Sequence, residues 1–321
     1  MICFDWMNRE KCDMRKERKQ DKTMKPVEVQ PHLYRIPLCR NIDGLEGFIG
    51  SWVFDGDVTF IVDVGPKTSL PTLLEGLQEL KIKRLDFIFL THVHIDHAGA
   101  TGSLIAHFPE TRVVCHPLGI THLIDPQRLW EGSKKVLGEL ALKYGEIDPV
   151  PEQNLLSSEE FEWKDFRIIL TPGHAAHHLS VLHHHRLFVG EAGGIFLDFG
   201  DEFYLRPPTP PRFILEETVA SIDRLLDTQA QDIYYAHAGF HRDANKMLTL
   251  YRKQLFLWRN VVADQMKQPG EKDLIDRCIS VLLKRDELLK SFRLMKSEER
   301  DRELNFTRNS LMGFIDYLSP S

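Results

Sequence analysis

Leu85-Asp86-Phe87-Ile88-Phe89-Leu90-Thr91 is a nearly continuous apolar run, and it leads straight into His92-Val93-His94-Ile95-Asp96-His97-Ala98-Gly99. An apolar run without alternation reads as a strand covered on both faces, which places it in a sheet sandwiched between other layers. Three histidines and an aspartate then fall within six residues, at the mouth of that strand and before a helical stretch. Loops at strand ends are where rigid scaffolds display reactive groups, and imidazole with carboxylate suits zinc, iron or manganese. His92 and His94, at i and i+2, can converge on one ion, while Asp96 and His97 point to a second place. A single histidine there is usually a packing or surface group; four ligand-type residues on one turn argue against that reading.

The surrounding pattern supplies the layers. Short alternating or apolar runs at 27–38 and 47–64 are strands, with Asp55-Gly56-Asp57 as a hairpin turn. Leucines at helical spacing predict a helix over 72–80, and helices also fit 98–108, about 127–144 and 214–226. Further strands are expected at 112–115, 166–170, 179–182, 187–190 and 232–236. From Ala244 onward the pattern is helical almost without interruption, and its dense charges read as solvated helix faces. The order is a mixed α/β body followed by an all-α tail, and 321 residues suffice for one large domain with an appendage.

Other properties narrow the function. A net charge of −6 lacks the basic stripe of a nucleic-acid binder. No run of 18 apolar residues exists, so no membrane span is expected. Residues 1–23 have mixed charge, few apolar positions and no signal-peptide core; they read as a disordered leader, with Met1 and Met24 as alternative starts. Cysteines at 3, 12, 39, 115 and 278 form an odd, scattered set without CxxC spacing, which excludes a disulfide framework and suits a cytoplasmic protein.

The His92, His94, Asp96, His97 motif resembles the H-x-H-x-D-H hallmark of the metallo-β-lactamase superfamily. The likeness continues in order through IVDVG (61–65), TPGH (171–174), FVGEAGG (188–194) and YYAHAG (234–239). It implies an α/β fold, the four-layer αββα sandwich, over residues 24–244, with 245–321 as a C-terminal helical extension. It also implies two divalent ions, zinc foremost and iron or manganese as alternatives. One would be held by His92, His94 and His174, the other by Asp96, His97 and His237, with Glu191 bridging them. Asp96 would also orient the nucleophile. Most family members carry aspartate at the bridge, so Glu191 is a departure that adds one methylene between backbone and metals. Asp63 is a candidate to support a ligand imidazole, since such rings usually donate their other N–H to a carboxylate or carbonyl.

The remaining histidines are read from position. His183, His184 and His185 lie between two apolar runs and are expected in a solvent-facing hairpin turn. His177 and His178 follow TPGH and fit supporting or pocket-lining roles. His116, His122 and His241 read as packing, surface or rim groups. In DEFYLRPPTPPR (201–212), Tyr204 and Arg206 are candidates to touch substrate, though a proline-rich stretch is as readily a stiff connector.

A catalytic body with a helical tail resembles glyoxalase-II-like thioesterases, which implies a metal-dependent hydrolase acting through a metal-bridging hydroxide on a small thioester, ester or lactone. The alternatives are iron-dependent persulfide or oxygen chemistry, a phosphodiesterase, and a non-catalytic metal-binding protein on the same fold. The partners expected are a small-molecule substrate and a second copy of the chain in a homodimer, with neither nucleic acid nor membrane.

Overall fold

The computed structural model describes residues 24–270 and 273–319, so the expected leader over 1–23 lies outside the described residues. Its first sheet is seven-stranded and takes its strands in chain order: β1 (Val27–Gln30), β2 (Leu33–Pro37), β3 (Gly50–Asp55), β4 (Thr59–Val62), β5 (Phe87–Phe89), β6 (Arg112–Cys115) and β7 (Leu155–Ser157). The first four strands pair antiparallel and the last three are added parallel. The second sheet is built from β8 (Phe166–Leu170), β9 (Leu179–His183), β10 (Arg186–Gly190), β13 (Asp232–Tyr235) and β14 (Gly239–His241). A two-stranded ribbon, β11 (Ile195–Asp198) with β12 (Phe203–Arg206), leaves the end of β10.

Alternation along the strands explains the layering. In β5, Phe87 and Phe89 belong to the core between the two sheets, together with Trp52, Phe60 and Val62 from the first and Val181, Phe188 and Tyr234 from the second. Ile88 and Leu90 point the other way, into the core beneath the helices. Each side chain of the strand is therefore covered, one by the opposite sheet and the next by a helix, as the unbroken apolar run predicts. Aromatic rings fill the inter-sheet space, with Trp52 5.0 Å from Tyr234 and Phe60 5.1 Å from Phe166 between ring centroids.

Helices cover the outer faces. Those linking the first sheet are α1 (Leu70–Glu79), α2 (Ile95–Ala98), α3 (Thr101–His107), α4 (Pro117–Ile124), α5 (Gln127–Leu137) and α6 (Glu139–Tyr144). After the ribbon come α7 (Leu215–Leu226), α8 (Ala244–Met266), α9 (Leu274–Arg285), a 3-10 segment (Glu287–Leu294) and α10 (Ser297–Leu318). Asp243 caps α8 by accepting the Lys246 N–H at 2.9 Å, which explains why helical character begins at Ala244.

Two expected helices differ from the structure. The one over 98–108 is α3 (Thr101–His107), preceded by the separate short α2 that ends at Ala98. The one over 127–144 is broken at Gly138, whose φ of +57° no helix interior accommodates. Sequence reading misses β7, β11, β12 and β14, which are three or four residues long and too short to show a period.

Candidate metal centre

The second sheet brings three strand ends to one edge. β8 and β10 both run antiparallel to β9, and β13 runs parallel to β10, so the carboxyl ends of β8, β10 and β13 lie together. His174 follows β8, Glu191 follows β10 directly, and His237 follows β13, where a bridge to Ile49 fixes its backbone. From the facing sheet β5 ends at Phe89 and delivers His92 and His94; His94 starts the short α2, which carries Asp96 and His97 on its single turn.

The seven residues converge. Ligand atoms of His92, His94 and His174 lie within 4.8 Å of one another, as do those of Asp96, His97 and His237, and those of His92, His97 and Glu191. Glu191 spans the gap, with Oε2 2.5 Å from His174 Nε2 and Oε1 2.8 Å from His237 Nε2. The second approach lacks the N–H alignment of a hydrogen bond: neither nitrogen of His237 has a partner, nor does Nε2 of His92 or of His97. Buried imidazole nitrogens without partners are costly. Here ligand atoms of His92 and His97, and of His97 and His237, lie within 4.8 Å of one another, an arrangement that a cation accepting imidazole lone pairs would satisfy. The donors are imidazoles and carboxylates with no thiolate among them, a set that fits zinc, iron or manganese.

Three of the rings are aimed by their other nitrogen. His97 Nδ1 donates to Asp63 Oδ2 at 2.9 Å, which turns Nε2 inward. Asp63 is itself buried, with a φ of +54°, and accepts the backbone N–H and hydroxyl of Thr91, both at 2.8 Å. The aspartate of IVDVG thus supports a ligand-type imidazole. His174 Nδ1 donates to the Pro208 carbonyl at 2.9 Å, and His92 Nδ1 lies 3.1 Å from the Thr91 hydroxyl.

His178 has a part that sequence reading left unspecified. Its Nε2 accepts the Glu191 backbone N–H at 3.1 Å, so the hydrogen sits on Nδ1, 2.8 Å from Thr171 Oγ1. Gly190 permits this contact. Its φ is +55°, and a Cβ there would stand 2.6 Å from His178 Nε2 and 2.7 Å from Thr91 Cβ. The pairing of TPGHAAHH with a glycine before the glutamate was the available signal, but its meaning depends on contacts across the sheet.

The electrostatics match the donor roles. Burial, then neighbouring histidines, hold His92 and His94 well below the usual imidazole range, which leaves both rings neutral. At His97 burial opposes protonation, but Asp96, Asp63 and Glu191 outweigh it and carry the pKa up to about 9. At His174 burial is likewise outweighed, chiefly by Glu191. Burial alone would raise Glu191; His174 and His237 instead hold it well below the usual carboxylate range. The clustered carboxylates therefore keep protons on neighbouring imidazoles, and such protons are released when a metal binds.

Three other expectations change. His183 is not in a solvent-facing turn: it is the last residue of β9, 2% exposed, with Phe166 stacked 4.5 Å away and Phe54 and Phe60 edge-on. Burial first, then His184 and Arg186, lower its pKa to about 4. Only His184 and His185 form the turn, His184 with a φ of +54°. Tyr204 and Arg206, candidates to touch substrate, do not line the site, being 1% and 3% exposed. Both lie on β12, and Arg206 is paired with the buried Glu303 of α10 at 2.5 Å. The proline-rich stretch nevertheless reaches the site, through the carbonyl of Pro208. His177 packs parallel to His92, ring centroids 6.2 Å apart, while His116 and His241 accept nearby backbone N–H groups.

Two packed sheets between helices, with imidazoles and carboxylates gathered at one edge, define a metallohydrolase-type sandwich. A profile of the metallo-β-lactamase superfamily matches residues 46–237, and the chain belongs to that superfamily, a hydrolase fold. It is 30% identical over 190 residues to a metallo-β-lactamase fold-containing protein of Sulfurisphaera tokodaii, covering 57% of this chain and 69% of the relative. It is 28% identical over 141 residues to hydroxyacylglutathione hydrolase 1 of Vibrio vulnificus, covering 44% of this chain and 45% of that protein, so less than half of the relative is matched. A metallo-β-lactamase family protein of Thermus thermophilus has the same fold, with a TM-score of 0.60, 20% identity, and 91% of this chain and 94% of that one covered. Among the described residues, no helix is long and apolar enough to cross a membrane.

Proposed function

We propose that the chain hydrolyses a small thioester, ester or lactone at a dinuclear metal centre, with zinc as the metal. The observation that carries this reading is the Glu191 carboxylate, which places one oxygen toward His174 and the other toward His237, in a site where ring nitrogens of His92, His97 and His237 have no hydrogen-bond partner. His92, His94 and His174 would hold one ion and Asp96, His97 and His237 the other. A bound pair of divalent ions supplies Lewis acidity at the carbonyl and a water acidified towards neutral pH.

The chain's own groups do the remaining work. Asp96 would orient the attacking water, and its 20% exposed side chain, beside a His97 that keeps 1%, supports that role. Phe48, its ring 4.6 Å from that of His237, gives the site an apolar wall. Similarity to hydroxyacylglutathione hydrolases supports a thioester as the first substrate class to test.

Elemental analysis of zinc-replete protein should find about two ions per chain, and a panel of thioesters, esters, lactones and phosphodiesters should show turnover in the first three classes. His92→Ala should lose metal and lower kcat/KM by more than about 100-fold, beyond what loss of a mere supporting residue costs. Less than one ion per wild-type chain, or undiminished hydrolysis by His92→Ala, would sink the proposal.

A further inference from the structure

The last helix lies beyond the superfamily match, yet it touches the site from two sides. On one side it grips the proline-rich strap. Ser310 Oγ donates to the Pro207 carbonyl at 2.7 Å, Thr209 Oγ1 donates to the Ser310 carbonyl at 2.9 Å, and Asp316 accepts the Arg212 N–H at 2.9 Å. Gly313 lets helix and strap meet: a Cβ there would collide with the Thr209 carbonyl oxygen and stand 2.8 Å from that of Pro210. Between these anchored residues, the Pro208 carbonyl holds His174 Nδ1.

On the other side, the Arg302 guanidinium donates to the Gly44 carbonyl and lies 4.0 Å above the Phe48 ring. Phe48 in turn neighbours His237, ring centroids 4.6 Å apart. Glu303 joins the two sides by accepting from both Arg206 and Arg302.

We infer that α10 is a positioning element of the metal centre, aiming His174 through the Pro207–Pro210 strap and backing His237 through Arg302 and Phe48. Ser310, Gly313 and Arg302 are the positioning residues, and none of them touches the reacting atoms. The inference rests on the metal reading above. Its physical basis is that an imidazole is fixed by the hydrogen bond of its other nitrogen, and a carbonyl can fix it only if the carbonyl itself is held still.

The test uses the full-length chain in three variants. Gly313→Ala pushes the strap away from the helix, Arg302→Met removes the guanidinium from Phe48, and Met312→Ala alters the exposed face of the same helix as a control. Zinc affinity is measured by chelator competition, and the visible spectrum of the cobalt-loaded chain reports ligand geometry, with circular dichroism checking the fold. Gly313→Ala and Arg302→Met should each lower zinc affinity by about tenfold or more and change the cobalt spectrum, while Met312→Ala does neither. If Gly313→Ala does not fold, Ser310→Ala tests the same contact by removing a single hydrogen bond. Folded variants with wild-type affinity and spectrum would overturn the inference and leave the metal reading standing. A wild-type chain that takes up no zinc would overturn both.

Discussion

Replacing Glu303 by glutamine keeps the shape of the side chain and removes its charge. Glu303 is fully buried and accepts from Arg206 Nε at 2.5 Å and Arg302 Nε at 2.9 Å, with the two arginine side chains only 3% and 10% exposed. Arginine cannot discard its proton, so the variant leaves buried guanidinium charge without its counter-ion. Removing one member of a buried pair costs about 3–5 kcal/mol. The lower end applies here, because Arg302 keeps Gly44 and Phe48 and Arg206 keeps a long contact to the Pro207 carbonyl. Urea denaturation should therefore show a loss of about 3 kcal/mol, or a Tm about 6 °C lower at about 2 °C per kcal/mol. The pH dependence has a definite sign. Burial pushes Glu303 up, but Arg206 and Arg302 outweigh it and hold its pKa below the ordinary value of 4.5. Its contribution is therefore full above that value and is lost as pH falls through the folded pKa. The gap between wild type and Glu303→Gln should close in acid. Pairing Glu303→Gln with Arg206→Met should recover part of the loss, since the strain lies in the orphaned charge. A loss below about 1 kcal/mol, the size expected of an exposed pair, with a gap independent of pH, would refute the reasoning.

Two further perturbations probe the site and the inter-sheet core. Gly190→Ala forces a left-handed residue to carry a Cβ against His178 and Thr91; it should cost about 1–3 kcal/mol and displace Glu191, so that zinc content and hydrolysis fall together, whereas unchanged metal content would show that Gly190 matters for packing alone. His183→Phe should fold as well as wild type at pH 7, since three phenylalanines surround the site. It should also remove a component of acid sensitivity: the folded pKa of about 4 lies below the ordinary 6.5, so wild type loses stability as pH falls between them. Identical melting curves for the two proteins across that window would place His183 in solvent after all.

Where a feature depends on neighbours along the chain, it was legible. The His92–His97 cluster follows a strand whose apolar run announces its burial, so the turn, its ligand chemistry and its place at a sheet end could all be read locally. The start of α8 at Ala244 is likewise a local matter of an aspartate cap. The histidine triplet was misread by one residue of strand length. With β9 extended to His183, alternation turns that ring between the sheets, and a one-residue change of boundary moves a side chain from solvent to core. Tyr204 and Arg206 were misplaced because β12 is too short to show its period.

The sequence by itself determined the sandwich class, the donor chemistry, and the order in which the candidate ligands occur. Only the tertiary structure decided that Glu191 lies between His174 and His237, that His178 holds its backbone, and that Arg206 meets a partner 97 residues away. The division has a physical cause. Periodicity and capping act over a few residues, whereas the convergence of β8, β10 and β13 and the charge balance of a buried pair depend on how distant segments pack, which is settled only when the chain closes on itself.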